Sequence, residues 1–190
     1  PFHRISSHYL SDYPRDVPAC GEQVASVRGV AHDRAMFEAP PFHPSRPGLV
    51  SPVRVDPAGV TGPTRARARR HYRRTSQGFY VPLFVDASDP DQRTLEAAAV
   101  LPSFGGVTGW AALRWVGGRW FDGRSHGGRV VREVVLATGY DDVLPQAGIR
   151  ICQERLNPRD LTEHDGLRIT TPVRSLCFEA RYADSLREAV

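Results

Sequence analysis

The densest group of side chains able to do chemistry is the stretch from Arg65 to Arg74. Arg65, Arg67, Arg69, Arg70, Arg73 and Arg74 place six guanidinium groups within ten residues. A guanidinium stays charged at any ordinary pH and presents a flat fork of N–H donors that matches phosphate oxygens. Arg65, Arg69 and Arg73 are spaced i, i+4, i+8, so a continuous helix would align them on one face, with Arg70 and Arg74 beside them. Such a surface holds a polyanion; it does not move protons or attack carbonyl groups. Thr64, Arg65 and Arg67, near a helix start, are the residues placed to reach base edges, and Arg73 and Arg74 the ones placed to touch backbone phosphates. A solvated face and an acidic protein partner remain the competing readings of the same residues.

Charge is unevenly distributed along the chain. All 25 basic side chains are arginine. Residues 51–82 contain seven of them and a single acid, Asp56, for a net +6, whereas the 190-residue chain is +4. The remainder is therefore mildly acidic, and a basic module on an acidic body is the pattern expected of a polyanion binder. The absence of lysine has a second consequence. A restriction-type nuclease core needs two acids and a lysine on adjacent strands to hold Mg²⁺ and activate water. These residues cannot supply that set.

Other catalytic constellations are missing. His71, His126 and His164 are isolated from one another and from the cysteines, and no H-x-E, H-x₃-H or H-E-x-x-H spacing occurs, so no zinc site is expected. Asp141 with Asp142, and Asp160 with Glu163 and Asp165, read as acids of solvated turns. Gly117-Gly118 and Gly127-Gly128 fit neither a phosphate-binding loop nor a dinucleotide fingerprint, and no G-x-S-x-G elbow is present. Cys20, Cys152 and Cys177 are scattered, with Cys152 and Cys177 in apolar segments, and read as buried, inert thiols. No enzymatic activity and no cofactor are expected.

The elements that would position the arginines follow from capping and periodicity. Thr61 or Gly62 reads as the cap of a helix running through Thr64–Arg70, with Pro63 in its first turn. His71–Thr75 and Gly78–Pro82 read as a hairpin turning at Ser76-Gln77-Gly78, with Tyr72, Phe79 and Val81 inward. Asp89-Pro90-Asp91-Gln92 is a helix start with Gln92 closing a capping box, and Leu95, Ala98, Ala99 and Leu101 follow at helical spacing. Thr108 is expected to cap a core helix, Gly109–Val116, that ends at Gly117-Gly118. Strands are predicted at Val130–Ala137, Ile149–Gln153 and Leu167–Thr170. A last helix, Val173–Tyr182, opens at Thr171-Pro172 and is expected to bury Val173, Leu176, Cys177 and Ala180.

Three blocks in succession resemble actinobacterial proteins of the AbiEi-like antitoxin type. They are Gly59-Val60-Thr61-Gly62-Pro63-Thr64-Arg65 with Arg73-Arg74-Thr75-Ser76-Gln77-Gly78-Phe79-Tyr80-Val81-Pro82; Val107-Thr108-Gly109-Trp110-Ala111-Ala112-Leu113-Arg114-Trp115; and Asp165-Gly166-Leu167-Arg168-Ile169-Thr170-Thr171-Pro172-Val173-Arg174-Ser175-Leu176. The resemblance spans residues 50 to 190. It implies an α+β fold: a winged-helix-like basic module over 51–85, then a small mixed α/β antitoxin-like domain over 86–190. It implies a transcriptional regulator that binds double-stranded DNA, represses its own toxin–antitoxin operon and meets a nucleotidyltransferase-like toxin. Relatives of this type often continue into a domain similar to very-short-patch-repair endonucleases. The alternatives are the targeting region of such an endonuclease and a protein-interaction module. The departure from the pattern is the single helix before the hairpin, where a full winged helix has about three.

Residues 1–50, rich in Pro, His and Ser without apolar periodicity, are expected to carry little fixed structure. The sole methionine is Met36; a native start there would leave residues 1–35 as upstream-translated sequence, a tag or a fragment artefact, so residues 1–50 read as a disordered or non-native leader. A capping box at Ser185-Leu186-Arg187-Glu188 leads to the expectation that the α/β domain is incomplete and continues past Val190. No run of about 18 apolar residues is present, and the first residues lack the apolar core of a secretory signal. The expected location is cytoplasmic, with no membrane partner.

Overall fold

The computed structural model describes residues 37–125, 127–140 and 143–183. Met36, His126, the Asp141-Asp142 pair and the expected cap at Ser185 all lie outside the described residues. The chain is a mixed α+β protein. Strand β1 (Val53–Arg54) precedes helix α1 (Arg65–His71) and a hairpin of β2 (Tyr72–Ser76) and β3 (Phe79–Pro82). Helix α2 (Pro90–Ala98), strand β4 (Gly106–Thr108) and helix α3 (Trp110–Trp115) follow. They lead to β5 (Val134–Ala137), β6 (Ile149–Cys152), the pair β7 (Leu161–His164) and β8 (Leu167–Thr170), and helix α4 (Pro172–Tyr182). The strands form an antiparallel sheet ordered β1-β3-β2 and a mixed sheet ordered β6-β5-β4-β8-β7.

Alternation along β5 explains the layering of the larger sheet. Val134 and Leu136 join Val107, Ile149 and Ile169 in a core shared with Leu95 of α2 and with Trp110, Ala111, Ala112 and Trp115 of α3. Val135 faces the other way and meets Cys152 and Phe178 of α4. The expected core helix is borne out, since Trp110 and Trp115 are 1% and 0% exposed. Each indole also finds an acceptor, Trp110 at the Glu133 carbonyl and Trp115 at the His164 carbonyl, both at 2.8 Å.

Several local expectations give way to tertiary contacts. Thr108 does not cap α3; it lies in β4, and its hydroxyl accepts from Thr170 at 2.8 Å. The cap residue is Gly109, at φ 66°, and the α3 terminus is held instead by Glu179 of α4, whose Oε1 accepts from the Trp110 N–H at 2.8 Å. Asp89 caps α2 as expected, but Gln92 closes no capping box. Its amide is buried, accepting from the Val50 N–H and donating to the Val50 carbonyl, both at 2.9 Å. The apolar face expected for α4 is reversed: Val173 is 74% and Leu176 52% exposed, and Cys177 is exposed too. The buried residues are Ser175, Phe178 and Glu179. Specific polar partners decide this orientation, because Ser175 pairs with the Thr170 hydroxyl at 2.7 Å and Glu179 serves α3.

Residues 37–50 also depart from the expectation of little fixed structure. Val50 packs on Val81 and Val85, and Leu49 enters the main core. His43 is buried and meets the Trp115 ring edge-on. Arg46 lies 3.8 Å over that ring and pairs with Asp165 at 2.9 Å. The segment therefore binds the small sheet to α2 and α3, and the described residues form one compact unit.

Candidate nucleic-acid interface

The loop before α1 is built around Asp56. Its carboxylate accepts from the N–H groups of Ala58, Val60 and Thr61 at 2.8, 2.9 and 2.9 Å, and from the Thr61 hydroxyl at 3.1 Å. These donors hold the Asp56 pKa down at about 2, the Thr61 N–H being the largest cause. The Thr61 hydroxyl is turned to Asp56, and the helix cap is Thr64, whose side chain accepts from the Arg67 N–H at 3.4 Å. The helix thus begins at Arg65, later than its sequence signals suggest. Gly62 makes the loop possible, since a Cβ there would lie 2.0 Å from the Arg54 carbonyl oxygen. That close approach brings β1 alongside the start of α1.

Helix α1 has seven residues, too few to be stable alone. It is held by its cap, by burial of Ala68 and by direct entry into β2. The chain turns extended at Tyr72, so Arg73 does not continue the row of Arg65 and Arg69. Alternation in β2 then separates neighbours. Tyr72 and Arg74 line a cleft beneath α1. Arg73 leaves on the opposite side and forms a two-pronged pair with Glu96 of α2, at 2.8 and 2.5 Å.

The cleft between α1 and the three-stranded sheet has a volume of 640 Å³ and is lined by Arg54, Arg65, Arg69 and Arg74 with Tyr72 and Tyr80, among others. Among the described residues, no carboxylate lines it. Arg65 and Arg69 stand one turn apart and are exposed. Among the described residues neither side chain makes a hydrogen bond or an ion pair to the protein. Arg54 lies 4.5 Å over the Phe79 ring, and Arg74 donates through Nε to the Ser76 carbonyl at 3.1 Å. Both thereby keep guanidinium donors free. Four arginines around one concavity, with no carboxylate among its described lining, concentrate positive charge that favours an anion.

The seven residues singled out from the sequence are therefore divided. Arg65, Arg69 and Arg74 converge on the cleft. Thr64 is the structural cap of α1. Arg67 faces away and donates to the Phe37 and Glu38 carbonyls, which makes it a strut between α1 and the segment before β1. Arg73 is neutralised by Glu96. Arg70 is exposed but does not line the cleft. The sequence reading missed Arg54 and Tyr80, which reach the site only through strand pairing: β3 places Tyr80 opposite both Val53 and Arg74. Tyrosines interleaved with arginines over 54–80 were the available signal.

Elsewhere, among the described residues, no three His, Cys, Asp or Glu side chains converge as metal ligands. None of the helices described is long and apolar enough to cross a membrane. Compared with models of protein families, with curated proteins and with solved structures, the chain matches none.

Proposed function

We propose that the chain is a DNA-binding regulatory protein that grips double-stranded DNA by its phosphates and acts by occupancy rather than by catalysis. The observation that carries this reading is the convergence of Arg54, Arg65, Arg69 and Arg74 on a cleft that no carboxylate of the described residues lines. Phosphate contacts position a protein on DNA without reading its sequence. Thr64 and Arg67, two of the three side chains first expected to reach bases, are engaged in holding α1, and of the three only Arg65 is left free by the described residues. Binding is thus expected to be dominated by backbone contacts, with a non-specific Kd of about 10⁻⁴ to 10⁻⁶ M at physiological salt.

Support for a regulatory role comes from the resemblance to AbiEi-like antitoxins. Its first block supplies the loop, cap and hairpin that frame the cleft. On this reading the protein works in the cytoplasm, represses its own operon and contacts a nucleotidyltransferase-like toxin through the larger sheet and its helices.

The test is a titration of the chain's own upstream DNA, with an unrelated duplex of equal length as control. Replacing Arg65, Arg69 and Arg74 by Ala is expected to abolish measurable binding to both. Alanine is the best helix former, so the Arg65 and Arg69 substitutions do not weaken α1. Unchanged affinity in the triple variant would end the DNA-binding reading. Wild-type affinity equal on both duplexes would remove operator recognition and leave backbone binding.

A further inference from the structure

Resting on the reading that this face contacts nucleic acid, we infer that the α1 cleft holds one unpaired nucleotide, its phosphate on Arg65 and Arg69 and its base against Tyr80. Shape is the first argument. A duplex can meet the exposed arginines at the rim from outside, but its stacked bases leave the hollow between them unfilled. The hollow's 640 Å³ lies within the roughly 300–1,000 Å³ of pockets that enclose a small ligand. One nucleotide fits such a space; a stacked base pair with both backbones does not.

The second argument is the division of chemistry across the walls. The α1 wall offers Arg65 and Arg69, one helical turn apart, free of protein partners among the described residues. The sheet wall offers Tyr80, partly exposed, whose hydroxyl has no partner among the described residues. Charge on one side and a ring on the other is the arrangement that grips a single strand, because every base has a face to stack while its phosphate needs a cation. Small residues keep the space open. Ala68 lies on the α1 side, and Gly78 borders the sheet side at φ 82° with nothing within 4 Å of where a Cβ would stand.

The experiment compares fluorescein-labelled oligo-dT with a blunt duplex of the same length, by anisotropy, for the full chain. Oligo-dT is expected to bind at least as tightly as the duplex. Tyr80→Ala is expected to weaken oligo-dT binding by about 5- to 150-fold, the range for removing one base-stacking ring, and to leave duplex affinity unchanged. Tyr80→Phe, which keeps the ring, is expected to restore oligo-dT affinity. Tyr80→Leu, which keeps an apolar side chain in the sheet, is expected to behave as Tyr80→Ala and so separates stacking from folding. Duplex binding without oligo-dT binding would overturn the nucleotide pocket while leaving DNA binding intact. Oligo-dT affinity insensitive to both Tyr80→Ala and Tyr80→Leu would overturn it equally. If neither probe binds, the DNA-binding reading itself fails and this inference fails with it.

Discussion

Salt dependence separates the arginines that are free to bind phosphate from those the protein has already engaged. Each phosphate neutralised on duplex DNA contributes about −0.9 to the slope of log affinity against log salt. Four cleft arginines, Arg54, Arg65, Arg69 and Arg74, therefore predict a slope of about −3.6. Between 50 and 200 mM salt that amounts to a loss of roughly 150-fold. Replacing Arg65 and Arg69 together by Ala leaves two contacts and a slope of about −1.8, so the same change in salt costs only about 12-fold. The matched control replaces Arg67 and Arg73, which carry the same formal charge and lie in the same stretch. Arg67 is held by two backbone carbonyls and Arg73 by Glu96, so that double variant should keep a slope near −3.6. Fluorescence anisotropy over a salt series on one labelled duplex gives all three slopes. A fall for the Arg67/Arg73 variant as large as that for the Arg65/Arg69 variant, in protein shown to be folded, would refute the assignment. Binding would then follow local charge density and not the cleft.

Three further outcomes follow from the fold and its titrating groups. Glu179→Ala removes the acceptor for the Trp110 N–H and the partner of Arg132, at 2.8 and 2.7 Å, and should cost about 3 kcal/mol in denaturant unfolding. Glu179→Gln, which keeps an acceptor, should cost less, and a Glu179→Ala loss under about 1 kcal/mol would show that α3 does not depend on this cap. The Asp56 pKa, about 2 in the folded chain, lies below the ordinary aspartate value of about 3.9. Its stabilising contribution is therefore complete above about pH 4 and is lost as the pH falls toward 2. Asp56→Asn should flatten the pH dependence of unfolding in that window, and an unchanged profile would sink the loop assignment. In a Cys20→Ser background, a thiol reagent should modify exposed Cys177 rapidly. Cys152, buried and with its pKa raised by desolvation, should react only on unfolding.

Much of the local structure is legible in the residues themselves. Asp89-Pro90 and Thr171-Pro172 start helices where their capping chemistry places them. The turn at Gly78 closes the hairpin, and the tryptophan-rich segment is the core helix. The strand over 167–170 has the bounds its composition suggests. Such features depend on neighbours a few residues away, and their energetics are written locally. Short β1, β4 and β7 were not anticipated. Strands of two to four residues carry too little alternation to be distinguished, and they exist because a partner strand lies beside them.

The arginine cluster marks the boundary between what sequence and tertiary structure decide. Composition and spacing alone establish that residues 51–82 carry an excess of guanidinium groups suited to phosphate. They do not say which groups are available. Arg73 is withdrawn by Glu96, 23 residues away, and Arg67 by carbonyls about 30 residues upstream. The end of α1 at His71 breaks the row that helical spacing would have continued through Arg73. Arg54 and Tyr80 enter the site through strand pairing. A guanidinium's charge is a property of its residue type, but its freedom to meet a ligand is set by every acceptor the fold brings within reach, and only the tertiary structure determines that set.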